Sequence, residues 1–225
     1  MPGEEYLRYP MPEIKNFLGE KPLKVLFVPY AAVTFSLDTY EEKVRERFNE
    51  TIHSLTSVHH AKEMAAAVKE AGAIVVGGGN TWQLVRMMNE KGLFPLIRAA
   101  VLSGVPFIGW SAGANVACPT LRTTNDMPIV DPGGFNCLNL VPFQINPHYL
   151  DKNPEGHGGE TREQRIEEFL EINPGVFVTG LREGTMLCRE EEKLSLIGPR
   201  SLRVFRKGTP AVELDNKEDL GFLLQ

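Results

Sequence analysis

A short apolar run that ends in three glycines constrains this sequence more than any other feature. Ala73-Ile-Val-Val76 is typical of a buried strand, and Gly77-Gly-Gly-Asn80 follows it as a turn. Helical spacing then covers Thr81–Asn89 and Leu93–Leu102, and Val105–Ile108 is a second apolar strand. Strand, turn, helix and strand form a βαβ unit, which requires parallel strands with helices packed on the sheet. The sequence therefore predicts an α/β fold with a parallel sheet.

The other elements are predicted from apolar runs and from helix-capping patterns. Thr39 and Glu42 are spaced as a capping box, and so are Thr161 and Gln164. The C-terminal part changes to short strands, which favours a partly antiparallel sheet edge with a hairpin. The predicted elements are a strand at Lys24–Pro29, helices at Asp38–Leu55, Ala61–Ala71 and from Thr161 to Ile172, and strands at Leu140–Phe143, Val176–Thr179, Met186–Cys188, Lys193–Leu196 and Leu202–Phe205.

Composition excludes several classes of function. The length of 225 residues favours a single α/β domain over residues 1–225. The net charge of −5 argues against nucleic-acid or anionic-membrane partners. Cys118, Cys137 and Cys188 lack the spacing of a disulfide framework or a zinc site, so we expect no metal and no cofactor. Met1–Glu20 carries acids and prolines where a signal peptide has an apolar run, which predicts a cytoplasmic protein.

A nucleophile motif follows the second strand. Gly109-Trp-Ser111-Ala-Gly113 matches G-x-S-x-G, in which glycines allow a tight strand-to-helix turn that exposes the serine hydroxyl. The N–H of Ala112 can then face an oxyanion that forms on an attacked carbonyl. The alternative is a helix-capping serine between close-packed glycines. The glycine turn at Gly77–Asn80 is either the second oxyanion donor or a structural tight turn.

A serine nucleophile needs a base and an acid that orients it. His148 is the preferred base because the preceding proline restricts the backbone, whereas His53, His59 and His60 are expected at the surface. Asp126 lies in the long irregular segment between Ser111 and His148, and it is the preferred acid. An Asx turn explains Asp126 equally well on local sequence.

Five motifs in the chain together resemble the dipeptidase E (α-aspartyl dipeptidase) family. They are Gly77-Gly-Gly-Asn-Thr81, Gly109-Trp-Ser-Ala-Gly-Ala-Asn115, Arg122-Thr-Thr-Asn-Asp-Met-Pro-Ile-Val130, Ile145-Asn-Pro-His148 and Gly159-Glu-Thr-Arg-Glu-Gln-Arg165. The resemblance implies a flavodoxin-like doubly wound sheet, related to class I glutamine amidotransferases. It also implies serine-type hydrolysis of dipeptides that begin with aspartate (Asp-Xaa), without a cofactor, by a monomer or a homodimer.

Carried over by motif, the resemblance makes Ser111 the nucleophile, His148 the base and Asp126 its partner. Glu183 in Leu-Arg-Glu-Gly184 matches a family glutamate that is a second candidate for the partner. The oxyanion donors fall on Gly79 and Ala112. Family members begin with an apolar strand that ends before the Pro-Gly region, so Met1-Pro-Gly3 implies that this strand is missing.

Recognition of a substrate aspartate requires a fixed cation, and the planar guanidinium of arginine suits a carboxylate. Arg162 is the preferred residue because the capping box makes it the first residue of a helix. Arg165 and Arg122 are alternatives, and Asn80 is a further substrate-binding candidate. Two other functions stay open: a cyanophycinase-like hydrolase of β-linked Asp-Arg material, and a non-catalytic amidotransferase-like binding module.

Overall fold

The computed structural model describes residues 5–156 and 158–225, and these residues divide into two compact units. The first unit comprises residues 5–121 and 126–140, and the second comprises residues 122–125 together with the described residues from 141 to 225. The single domain expected over residues 1–225 stays a prediction. Met1-Pro-Gly3, and with it the inferred absence of a first strand, lies outside the described residues.

The first unit contains a four-stranded parallel sheet of order β2-β1-β3-β4. Helices connect the strands, as expected of parallel neighbours. The α/β fold class is therefore confirmed. The elements in chain order are α1 Met11–Leu18, β1 Lys24–Val28, α2 Leu37–Phe48, β2 Ser54–Ser57, α3 Met64–Glu70, β3 Ala73–Val76, α4 Thr81–Glu90, α5 Leu93–Leu102, β4 Phe107–Gly109 and α6 Ala112–Ala117.

Both faces of this sheet are covered by helices. Alternate residues of β1 and β3 point to opposite faces, because side chains alternate along a strand. Val28 and Val76 pack in one hydrophobic cluster with residues of α3, α4 and α5. Phe27 and Val75 pack in the other with residues of α1 and α2. Full burial of each such side chain contributes about 1.5–3 kcal/mol, so the two-sided core supports the doubly wound arrangement.

The region between the first two strands differs from its prediction. Helix α2 ends at Phe48 rather than at Leu55, and Ser54–Ser57 forms the edge strand β2. The helix is capped by the Ser36 hydroxyl, which accepts from the N–H of Thr39 at 3.1 Å, so the Thr39–Glu42 capping box is wrong. Strand β2 could not be predicted from an apolar run, because its residues are alternately exposed and buried and only Leu55 has a large apolar side chain.

The second unit contains a four-stranded sheet of order β10-β9-β6-β5 and a separate hairpin of β7 and β8. Strands β5 and β6 are parallel, and β9 is antiparallel to both β6 and β10. The capping box at Thr161 and the C-terminal hairpin are confirmed. The elements are β5 Gln144–Pro147, α7 Arg162–Ile172, β6 Val178–Leu181, β7 Met186–Glu190, β8 Lys193–Ile197, β9 Leu202–Arg206 and β10 Thr209–Leu214.

One strand of this unit was predicted in the wrong place, and another was not predicted. The strand expected at Leu140–Phe143 begins only at Gln144, and β10 was not predicted. Gln144 and Asn146 are polar but buried, so β5 lacks the apolar run that marks a strand. In the part of the chain that the structure describes, no helix has the length and apolar content needed to cross a membrane.

Candidate active site

Ser111 occupies a strained turn between β4 and α6. Its backbone has φ 54° and ψ −113°, and positive φ is uncommon for a residue with a side chain. The serine carbonyl accepts from the N–H of Ala114 at 2.9 Å and from that of Asn115 at 3.1 Å, so its backbone caps the helix. Among the described residues, its hydroxyl makes no capping hydrogen bond to the helix. The turn therefore holds the backbone while the hydroxyl does not serve as a cap.

The glycines of the motif are required by close backbone contacts. A Cβ on Gly109 would lie 2.2 Å from the carbonyl oxygen of Gly113, and a Cβ on Gly113 would lie 2.1 Å from that of Val76. Both distances are far below van der Waals contact. The end of β3 and the start of α6 can therefore approach each other only because these positions lack side chains.

A chain of hydrogen bonds joins the serine turn to the glycine turn after β3. The indole N–H of Trp110 donates to the Tyr6 hydroxyl at 2.7 Å, and the two hydroxyls of Tyr6 and Tyr40 lie 2.8 Å apart. Tyr40 then donates to the carbonyl oxygen of Gly78 at 2.9 Å. Burial raises the pKa of Tyr40, which keeps its hydroxyl protonated as a donor. The residue before Ser111 and the glycine turn are thus held by one network.

The glycine turn lies directly against Ser111. A Cβ on Gly78 would lie 2.9 Å from the Ser111 Cβ, and Gly79 has φ 135°, a conformation that favours glycine. The N–H of Asn80 donates to the carbonyl oxygen of Ala31 at 2.9 Å. Ala112 is the first residue of α6, so its N–H has no acceptor within the helix. Gly79 and Ala112 therefore lie on the two turns that end β3 and β4.

Asn80 and Asp126 both fasten the long irregular segment to helix α4. Asn80 caps α4 by accepting from the N–H of Gln83 at 3.1 Å, and its side-chain amide donates to the carbonyl oxygen of Met127 at 2.9 Å. The Asp126 carboxylate accepts from the N–H of Thr81 at 2.7 Å and from its hydroxyl at 2.6 Å. The structure thus gives both side chains positioning contacts.

In the second unit, His148 and Glu183 form a hydrogen-bonded pair. His148 directly follows β5, and Glu183 lies two residues after β6. The parallel register pairs Pro147 with Leu181, so both residues emerge at the same edge of the sheet. The Nδ1 atom of His148 is hydrogen-bonded to the Glu183 carboxylate. His148 also has positive φ, 54°, and the next residue, Tyr149, donates its N–H to the carbonyl oxygen of Leu181 at 3.1 Å.

The turn that carries Glu183 is anchored by its neighbour Arg182. The Arg182 side chain is only 9% exposed and makes ion pairs with Asp151 and Glu213, the latter at 2.8 Å. These hydrogen bonds raise the pKa of Arg182 and lower the pKa of Glu213 to about 2. The hydroxyl and N–H of Thr185 donate to the Arg182 carbonyl oxygen and close the turn. Arg182 thus fixes the backbone on which Glu183 is presented.

The three arginines considered from the sequence line one small cavity in the second unit, called the arginine cavity below. Arg162 and Arg165 reach it from the first turn of α7, and Arg122 from the long irregular segment. Arg165 also lies 3.7 Å from the carboxylate of Glu160. The other lining residues are Thr123, Thr124, Asn125, Asn146, Ile166 and Phe169. Clustered guanidinium groups make this cavity suited to an anion.

Several features of these sites were not found from the sequence. His53 is buried and accepts from the N–H of Leu23 at 3.3 Å, so its expected surface position was wrong. Arg182 and Asn146 were not singled out. Asn146 donates to the carbonyl oxygen of Thr123 at 2.9 Å and to the side chain of Asn125, which connects β5 to the lining of the arginine cavity. A polar residue in alternate positions of a buried strand is the signal that could have revealed it.

Comparisons with known proteins identify the family. The profile described as Peptidase family S51 matches residues 1–197. Peptidase E from Nostoc sp. (strain PCC 7120 / SAG 25.82 / UTEX 2576) is 49% identical over 223 residues, which cover 99% of this chain and 92% of that protein. Peptidase E from Salmonella newport (strain SL254) is 46% identical over 215 residues, which cover 96% of this chain and 93% of that protein.

A solved structure has the same fold. The structure described as a peptidase from an acI-B1 Actinobacterium matches with a TM-score of 0.69 over 96% of this chain and 93% of its own, at 18% sequence identity. At this identity the match concerns the fold alone, and the family follows from the profile and the two relatives. The chain therefore belongs to peptidase family S51 and is a serine peptidase.

Proposed function

We propose that the chain hydrolyses dipeptides with N-terminal aspartate through Ser111, His148 and Glu183. Ser111 Oγ attacks the carbonyl carbon of the Asp-Xaa peptide bond while His148 accepts the hydroxyl proton. His148 then protonates the leaving amine, and the acyl-enzyme on Ser111 is hydrolysed by water. The N–H groups of Gly79 and Ala112 stabilise the oxyanion that forms in each step.

The observation that carries this proposal is the backbone of Ser111. Its positive φ in a strand-to-helix turn matches a nucleophile elbow, in which strain is retained because the hydroxyl must be exposed. Such a conformation costs about 1–3 kcal/mol and persists only where surrounding contacts enforce it. The close approaches at Gly109 and Gly113 and the Trp110 hydrogen bond supply that enforcement.

Glu183 is favoured over Asp126 as the third member. The hydrogen bond from His148 Nδ1 to Glu183 leaves Nε2 as the nitrogen that accepts the serine proton. The Oδ2 atom of Asp126 instead accepts hydrogen bonds from the N–H and the hydroxyl of Thr81. Asp126 and Asn80 then act by holding the irregular segment, and we assign them positioning roles.

Arg162 is proposed to bind the side-chain carboxylate of the substrate aspartate. It is the first residue of α7 and lines the arginine cavity together with Arg165. Arg165 lies one turn further along the helix, so Arg162 is the closer of the two to the positive N-terminal end of α7. The relatives named Peptidase E support a peptide substrate. We further propose that the enzyme is cytoplasmic and is active as a monomer or a homodimer. We propose that it binds neither nucleic acid nor membranes.

Two experiments test this function. A panel of Asp-Xaa, Glu-Xaa, β-Asp-Xaa and Xaa-Asp dipeptides is followed by mass spectrometry for the wild type and for Ser111→Ala. We expect cleavage of Asp-Xaa and a loss of about 10^4-fold or more in Ser111→Ala, with folding retained. A fluorophosphonate probe should label only the wild type. Preference for β-Asp-Xaa would instead favour a cyanophycinase-like enzyme, and absence of labelling would favour a binding module.

A further inference from the structure

Four side chains of the first unit, none of them in the proposed catalytic machinery, bring metal-ligating atoms together. Asp38 and Glu41 lie on α2, and His59 and His60 lie in the short 3-10 turn Val58–His60 that follows β2. One carboxylate oxygen or ring nitrogen from each residue lies within 4.8 Å of the other three. We propose that these four residues form a Zn²⁺ site that fastens α2 to the turn after β2.

The separations between the ligand atoms fit a single small ion. Asp38 Oδ1 lies 3.0 Å from His59 Nε2 and 3.4 Å from His60 Nε2. The Nε2 atom of His60 also lies 2.7 Å from Glu41 Oε2. Zinc lies about 2.0–2.2 Å from nitrogen and oxygen ligands, so the ligand atoms of a tetrahedral site are about 3.3 Å apart. The three measured separations differ from this spacing by no more than about 0.6 Å, and all four ligand atoms lie within 4.8 Å of one another.

Neighbouring groups already hold two of the ligands in the required orientation. Glu41 is only 3% exposed, and its Oε1 accepts from the N–H of Ser57 at 3.0 Å and from Arg45, so Oε2 is the oxygen directed at the histidines. The Nδ1 atom of His59 is hydrogen-bonded to the Ser57 hydroxyl, which leaves Nε2 facing the cluster. Partners of this kind fix the ring and the carboxylate in metal sites and increase their affinity.

The remaining two ligands give the ion a path from solvent. The side chain of His60 is 56% exposed and that of Asp38 is 71% exposed. The rings of His59 and His60 lie close together, with their centroids 3.9 Å apart. The exposed side chains of His60 and Asp38 therefore leave the cluster open to solvent.

The chemistry of the donor set selects the metal. Two imidazole nitrogens and two carboxylate oxygens suit Zn²⁺ better than Ca²⁺ or Mg²⁺, which prefer oxygen ligands. Four protein ligands fill a tetrahedral shell, which is typical of a structural site. The sequence does not reveal the cluster, because its ligands come from two elements that are distant in the chain and none of them is a cysteine.

Zinc binding to the full chain tests the proposal directly. Protein stripped with a chelator is titrated with ZnCl2 in a calorimeter, and its Tm is measured with and without zinc. We expect one Zn²⁺ per chain and a rise in Tm of about 5 °C at a free zinc concentration of about 100 times Kd. The absence of saturable binding would overturn the proposal.

Variants locate the bound ion. His60→Gln and Asp38→Asn alter exposed side chains, and each is expected to weaken zinc binding by about tenfold or more. Glu42→Gln removes a charge from the neighbouring position on α2 and is the matched control, with an unchanged Kd. Co²⁺ should give the visible absorption of a four-coordinate site in the wild type but not in the double variant that combines His60→Gln with Asp38→Asn. Wild-type affinity in the double variant would place the ion elsewhere and overturn the proposal.

Discussion

At the scale of single residues, two carboxylates compete for the role of orienting His148. Glu183 is hydrogen-bonded to His148, whereas the Asp126 carboxylate is held by Thr81. We therefore expect Glu183→Gln to lower kcat much more than Asp126→Asn, which is the opposite of the ranking expected from the sequence motifs. Loss of the anion that fixes the histidine tautomer costs up to about 10^4-fold. Steady-state kinetics on Asp-Leu measure the difference.

The effect of Asp126→Asn should fall on stability, because both hydrogen bonds from Thr81 lose their charged acceptor. A cost of about 1–3 kcal/mol in the free energy of unfolding is expected. Glu192→Gln, a change at an exposed glutamate in the turn between β7 and β8, is the kinetic control. A larger loss of kcat in Asp126→Asn than in Glu183→Gln would return the acid role to Asp126.

Arg162 and Arg165 provide a matched pair for the test of specificity. Arg162→Met should collapse kcat/KM for Asp-Leu while changing that for Asn-Leu little, since only the aspartate side chain carries a charge. Loss of a charge-assisted pair costs about 2–5 kcal/mol, which is about 30- to 5000-fold. Arg165→Met should have a smaller effect on Asp-Leu. Equal losses on both substrates in Arg162→Met would indicate a role in folding.

Candidate site residues can be proposed from the sequence, but their contacts cannot. Motifs propose Ser111, His148 and Glu183, because a motif records residue types at fixed spacing. The capping box at Thr161 proposes Arg162. The partner of His148 could not be chosen in this way, since Glu183 meets it only through the pairing of β5 with β6. The buried ion pairs of Arg182 depend likewise on contacts with Asp151 and Glu213, which are distant in the chain.

At the scale of elements, the turn from β4 to α6 depends on a backbone contact that a methyl group would break. Gly113→Ala would place a Cβ 2.1 Å from the carbonyl oxygen of Val76 in β3. Strand and helix must then separate, and we expect a loss of at least about 2 kcal/mol in the free energy of unfolding. Urea denaturation measures this loss.

Gly175→Ala is the matched control for that experiment. A Cβ at Gly175 meets no atom of the described residues within 4 Å, so the variant should match the wild type or gain up to about 1 kcal/mol. Gly113→Ala with wild-type stability would show that the helix can shift without cost. It would also show that the contact between Gly113 and Val76 does not hold the strained backbone of Ser111.

Elements were predicted where burial and hydrophobicity agree. The strand Ala73–Val76 and the helix Leu93–Leu102 have the bounds that their apolar patterns indicated. Strand β5 was misplaced because Gln144 and Asn146 are buried with hydrogen-bond partners, and a polar residue in a strand suggests exposure. Strand β10 was missed because Pro210 and Glu213 interrupt its pattern. Tertiary hydrogen bonds, which a single sequence does not display, account for these errors.

At the scale of the whole molecule, carboxylates paired with basic groups should set stability in acid. Hydrogen bonds lower the pKa of Asp151, through Arg182, and that of Asp38, through His59. Glu213 accepts from Arg182, Ser201 and Arg203, and its pKa falls from 4.5 to about 2. A carboxyl group with a lowered pKa stabilises the folded state at pH values above its unfolded pKa. This stabilisation is lost as the pH falls toward the folded pKa.

Glu213→Gln isolates the largest of these contributions. Wild-type stability should decrease between pH 4.5 and about 2, where the unfolded chain binds a proton that folded Glu213 does not. In Glu213→Gln this proton uptake is absent, so the variant should be less stable at neutral pH and lose less stability on acidification. Urea midpoints at pH 7 and pH 3 measure both effects. Glu192→Gln, at an exposed site in the turn between β7 and β8, should keep the wild-type difference between the two midpoints. If Glu213→Gln also keeps that difference, the Arg182 network does not control acid stability.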